Sequence, residues 1–97
     1  MLSKSQIRYL RGLGSTLQTK YQIGKNEVTE TVLDMLSKAL DAHELIKITL
    51  NRVVAEEKHY IAEELVEALH AELIQIIGST IIIYRKNLKN PKITLPR

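Results

Sequence analysis

Tyr21-Gln22-Ile23-Gly24-Lys25-Asn26-Glu27-Val28-Thr29-Glu30 is the stretch that sets the architecture. Strand-forming residues run into a glycine, and a helical pattern begins at once. Val28, Val32, Met35, Leu36, Ala39 and Leu40 fall on one face at helical spacing. Asn26 is the N-cap expected for that helix, with Glu27 and Glu30 in its first turn. Such a strand–glycine–helix turn aims unpaired backbone N–H groups, and the positive end of a helix dipole, at one spot. Gly24 lets backbone pass close to a ligand, and Lys25 adds a full charge. Gly24, Lys25 and Asn26 are therefore read as a cradle for phosphate.

Outward from this turn, the pattern alternates. Before it, Ser3-Lys4-Ser5-Gln6 has the form of a capping box, and Ile7, Leu10, Leu13 or Gly14, and Leu17 recur with helical period. Gly12 and Gly14 each weaken that helix by roughly 1 kcal/mol. After the turn, the second helix ends near His43, and Leu45–Leu50 alternates as a strand. A third helix is expected over about 57–69, with Ile61, Leu65, Ala68 and Leu69 inward. Residues 72–77 and 80–85 read as strands joined by a Gly78-Ser79 hairpin. The order α-β-α-β-α-β-β gives an α/β fold. It is a small mixed four-stranded sheet with helices packed on it: three strands share a direction and the last is antiparallel. The triple Ile81-Ile82-Ile83 is apolar on both faces and reads as a strand buried between layers.

The 97 residues suit a single domain spanning 1–97, with 87–97 an extended tail carrying two prolines. There is no cysteine, no N-terminal segment of signal-peptide character and no apolar run of membrane-spanning length. The expected location is cytoplasmic, with no membrane role. The net charge of +3 hides a partition: residues 1–26 carry +5 and no acid, residues 27–72 carry −7, and residues 73–97 carry +5. If the chain ends meet in the fold, a basic face opposes an acidic one, which suits a polyanionic partner. Lys4, Arg8 and Arg11, at i, i+4 and i+7, form one stripe of it.

Chemistry beyond binding finds little support. Gly24-Lys25 lacks the spacing of a P-loop. His43, His59 and His70 have no helical partner at ligand spacing and read as helix-end or surface side chains, so no metal and no cofactor is expected. The pairs Glu56-Glu57 and Glu63-Glu64 cannot face each other along a helix. Tyr9, Tyr21, Tyr60 and Tyr84 are the only aromatics, too few for a stacking platform, so a polynucleotide partner would be recognised by shape and phosphate contacts. No enzymatic activity and no small-molecule substrate is expected.

The ordered set Gln22-Ile23-Gly24-Lys25-Asn26, Val28-Thr29-Glu30, Leu33, Ala39-Leu40, His43–Lys47, Gln75–Gly78, Tyr84-Arg85 and Lys92–Arg97, with Gln6 and Arg8–Arg11 at the start, resembles the CRM domain (chloroplast RNA splicing and ribosome maturation). The bacterial single-domain members are the YhbY-like proteins. The resemblance implies an open-faced α/β sandwich similar to the C-terminal domain of translation initiation factor 3. It also implies RNA binding, association with precursors of the large ribosomal subunit, and a KH-like GxxG loop that clamps the nucleic-acid backbone. The family loop usually reads Gly-Lys-Asn-Gly, whereas here Glu27 stands at its fourth position. Glu27 strains the loop if that position needs positive φ; in a first helical turn it is comfortable but repels anions. The expected RNA-binding set is Lys4, Arg8, Arg11, Lys20, Gly24, Lys25, Asn26, Arg85 and Lys86. The other reading is an adaptor, in which Asp34, Asp41, Glu63 and Glu67 dock a basic ribosomal protein or assembly factor.

Overall fold

The structure is a computed structural model that describes residues 2–24, 26–53 and 55–97, the side chain of Ala55 excepted. Its elements are α1 (Lys4–Ser15), β1 (Tyr21–Gly24), α2 (Glu30–His43), β2 (Leu45–Asn51), α3 (Ala55–Leu69), β3 (Glu72–Ile77) and β4 (Thr80–Tyr84). Their order is the one expected. The first helix begins with the capping box: Ser3 accepts from the Gln6 amide, and Gln6 Oε1 accepts from the Ser3 amide.

The sheet runs β1-β2-β4-β3. β1 pairs parallel with β2, while β4 is antiparallel to both β2 and β3. The hairpin therefore places β4 inside the sheet, between β2 and β3, and this is why three consecutive isoleucines are fully buried. Ile81 and Ile83 face the α2/α3 layer, and Ile82 faces α1. The larger core joins Leu36, Leu40, Ile61 and Leu65 to Ile23, Ile46, Ile48 and Leu50. The smaller one joins Leu10 of α1 to Leu45, Ile74, Ile82 and Tyr84, with Ile93 and Leu95 of the tail packed against it.

Gly14 marks where α1 comes closest to the sheet. A Cβ there would lie 2.7 Å from Ile82 Cδ1 and 3.2 Å from its Cγ2. The glycine that lowers helix propensity is what admits close helix–strand contact. Two inward assignments are corrected. Met35 is exposed, since Leu36, Ala39 and Leu40 fill the face of α2 that meets the sheet. Ala68 is exposed too, and Ala62 is buried in its stead.

The expected start of α2 is corrected as well. Thr29, not Asn26, is the N-cap: its hydroxyl accepts from the Val32 amide, and Leu33 N donates to the Thr29 carbonyl. A turn therefore separates β1 from the helix. It is closed by Glu27 N donating to Gly24 O at 3.2 Å and Thr29 N donating to Glu27 O at 2.9 Å.

No helix or strand follows Tyr84. The tail is nonetheless tied down. The fully buried Glu44 carboxylate accepts from Asn87 N, Lys92 N and Ile93 N, each at 2.6 Å. Gln6 Nε2 donates to Pro96 O at 2.9 Å, which joins the start of α1 to the end of the tail. Burial pushes the Glu44 carboxyl up, but the amides of Asn87, Ile93 and Lys92 and the charge of Lys86 outweigh it, so the group is held below its ordinary range.

Candidate nucleic-acid interface

The Gly24 loop sits where both parallel strands end, since Gly24 is opposite Asn51 in the ladder. Gly24, Asn26, Glu27, Asn51 and Arg52 line a depression of about 720 Å³. Asn51 Nδ2 donates to Gln22 Oε1 at 3.0 Å, fixing one wall. Arg52 takes a left-handed φ of 56°, which turns the chain out of β2 beside the loop. Lys25 lies outside the described residues.

Glu27 does something the sequence reading did not anticipate. Its φ is not in the left-handed range, so it does not strain the loop, and it lies before the helix rather than in its first turn. Instead its carboxylate turns back and accepts from the Gly24 amide. A Cβ at Gly24 would lie 2.7 Å from Glu27 Oε1, so a side chain there would displace the carboxylate, while Asn51 O at 3.7 Å would be in ordinary contact. A carboxylate oxygen on a backbone amide is chemically what a phosphate oxygen would be there. The loop carries its own anion.

The basic stripe of α1 is exposed: Lys4, Arg8 and Arg11 all reach solvent. Arg11 leans toward the far edge of the sheet, where its Nε donates to Ile74 O at 3.1 Å. That carbonyl lies in a β-bulge between Leu73 and Gln75. The Gly24 loop stands at the opposite edge, three strand spacings or about 14 Å across.

At the other end of β1 lies an open cleft of about 570 Å³. Its walls are the end of α1, the start of β1, the first residues of β2 and the tail. Lys20, expected in the site, lines it together with Lys47, Lys92 and His43, which were not. Lys47 could have been noticed: it is the single charge in the run Leu45–Leu50, and strand alternation puts it on the α1 face. Its Nζ lies 3.5 Å from Leu17 O, just past the end of α1. Lys92 carries no such signal, because its place depends on the Glu44 tether.

Arg85, expected in the site, is engaged within the fold. It emerges on the α2/α3 side, where Nη1 donates to Leu69 O at 2.8 Å. Nη2 reaches Ser37 O, Ser37 Oγ and Asp41 Oδ1 at 2.8, 3.0 and 2.9 Å. A guanidinium so used joins the second half of α2 to the end of α3. Lys86 is exposed, and its charge helps keep Glu44 ionised. Tyr84 is buried under α1 and the tail. Its hydroxyl has no hydrogen-bond partner among the described residues. Burial, then the charges of Glu44 and Glu72, push that hydroxyl's pKa up.

Among the described residues, no group of His, Asp or Glu side chains is placed to hold a metal ion, and no helix is long and apolar enough to cross a membrane. The sequence profile of the CRS1 / YhbY (CRM) domain matches residues 2–85. The chain belongs to the CRM-domain family. This CRM domain is 36% identical over 96 residues to the probable RNA-binding protein YqeI of Bacillus subtilis (strain 168), covering 99% of this chain and 100% of that one. It is also 36% identical to a Haemophilus influenzae protein named RNA-binding protein, covering 99% and 96% of the two chains. The solution structure of the hypothetical protein SAV1595 from Staphylococcus aureus superposes with a TM-score of 0.84 at 40% identity, covering 99% of this chain and 100% of that one.

Proposed function

We propose that this CRM domain binds RNA without chemistry, and that its target is ribosomal RNA within a precursor of the large subunit. The observation that carries the reading is the covering of one sheet face. On that side α1 presents Lys4, Arg8 and Arg11 with no acid in the helix, and Lys20, Lys47 and Lys92 open beside it. The opposite face is covered by α2 and α3, where Glu30, Asp34, Glu56, Glu63, Glu64 and Glu67 are exposed. A polyanion approaching this molecule is drawn to one side and repelled from the other. The names of the relatives from Bacillus subtilis and Haemophilus influenzae support the same partner class. The family resemblance supports the ribosomal target and a cytoplasmic site of action.

The Gly24 loop contributes a backbone contact once Glu27 gives way, with Arg52 beside it. Salt dependence tests the reading. A grip on about five phosphates gives log affinity falling with log salt at a slope of about −4, and a flat dependence rejects it. Crosslinking in cells, followed by sequencing of bound RNA, tests the target: reads concentrated on large-subunit ribosomal RNA are expected, and reads spread over messenger RNA overturn that part. The adaptor reading has one feature in its favour, the exposed acids Glu63 and Glu67 on α3. Asp34 and Asp41 are already engaged by Lys38 and Arg85. Retention of a basic protein partner after nuclease treatment would support it.

A further inference from the structure

Three elements of different origin meet at the foot of β1. β2 begins at Leu45, but its ladder with β1 begins only at Ile48, so the sheet steps inward there. α1 ends over the step, and the tail crosses it at Lys92 and Ile93, held by Glu44. The result is the cleft of about 570 Å³, within the range of small-molecule pockets. Its lining is two-sided in chemistry. Leu13, Leu17 and Ile93 offer apolar surface, while Lys20, Lys47 and Lys92 bring three lysines to its walls. The carboxylate of Glu44, which could have neutralised them, is buried and spent on three tail amides.

We propose that this cleft receives one unpaired nucleotide of the bound RNA, its base on the apolar floor and its flanking phosphates on the three lysines. The inference rests on the reading of the chain as an RNA binder and adds which form of RNA it selects. A paired base cannot enter a concave cleft of this size, whereas a splayed one presents a flat apolar face and two anionic neighbours. An isolated anion would leave the leucine and isoleucine surface unused. An acidic peptide would supply charge without a planar group to cover it.

The test compares hexauridylate with a twelve-base-pair RNA duplex. Affinities are measured by fluorescence anisotropy on the full chain and on Lys92→Ala, Lys47→Ala and Leu17→Asn. Lys92 and Leu17 are exposed, so those two variants keep the test valid even if Lys47→Ala folds poorly. Each lysine variant is expected to lose about five- to tenfold in hexauridylate affinity, with its salt slope flattened by about 0.7, and less than about twofold for duplex. Leu17→Asn is expected to weaken hexauridylate about threefold with its salt slope unchanged. In amide-shift titrations, uridine 5′-monophosphate is expected to move Leu17, Lys20, Lys47 and Ile93. Equal losses for duplex and single strand overturn the proposal. So does inorganic phosphate reproducing every shift, or hexaglutamate binding as tightly as hexauridylate. Unaltered affinities in all three variants, with RNA still bound, reject the cleft and spare the RNA-binding reading. Failure of the unmodified chain to bind either RNA rejects both.

Discussion

The two faces of the sheet are covered in different ways. One carries two long helices that meet each other, seal a core of fourteen buried residues, and turn acids outward. The other carries a twelve-residue helix and an irregular tail over a core of five buried residues, and turns cations outward. The complete covering leaves no room for a partner to enter. The incomplete one leaves a cleft, a step in the sheet and a row of ammonium groups. Under the proposed function, stability and recognition are divided between opposite sides of the sheet, and substitutions should separate them.

The largest effect expected is on the sealed side. Leu40→Ala should lower unfolding free energy by about 2–5 kcal/mol in denaturant titrations while leaving the RNA affinity of the folded fraction unchanged. Loss of affinity without loss of stability there would break the division. Next comes Glu44→Gln, which removes the charge that gathers three tail amides; hydrogen bonds of this kind contribute about 1.5–3 kcal/mol each in favourable settings. Faster hydrogen exchange at Asn87, Lys92 and Ile93 is expected, with weaker binding of single-stranded RNA. Acid should act in the same way. The folded state holds the Glu44 carboxyl below its ordinary value, so its contribution is complete above about pH 4.3 and fades as the pH falls through the lowered value. Tail exchange rates that stay constant down to the acid unfolding transition would contradict this.

A smaller change is expected from Lys25→Ala, which should weaken binding to all RNA sequences alike and flatten the salt slope by about one unit. Smallest of all, Glu27→Gly should strengthen RNA binding by about two- to fivefold, because it frees the Gly24 amide and removes an anion from an exposed loop. Weaker binding in that variant would show the carboxylate to be holding the loop in its competent shape.

Much of the fold could be read from residue order. The periods of α1 to α3, the capping box and the Gly78-Ser79 turn act over a few residues, and the structure contains all of them. The place of β4 within the sheet was not legible, although its three isoleucines required burial on both faces. The candidate site was legible only in part, for a physical reason. Lys20, Gly24 and Asn26 occupy the two depressions along β1. Arg85 could not be excluded from sequence, because its partners Ser37, Asp41 and Leu69 are brought to it by two different helices. Lys92 was hidden for the complementary reason: 45 residues separate it from Lys47 along the chain, and a buried glutamate holds it at the same opening. Asn26 failed as a cap because Thr29 was the better-placed oxygen, a choice between two good cappers that propensity does not make.

The bulge at Leu73–Gln75 has a consequence for how copies of this molecule treat one another. A sheet with two open borders invites a neighbouring chain to add a strand. Here one border is only four residues long, with a lysine just before it, while the other is kinked and has the Ile74 carbonyl occupied by an arginine reaching over from α1. Arg11 thereby discourages stacking into aggregates, even as its charge faces the solvent that an RNA strand would share.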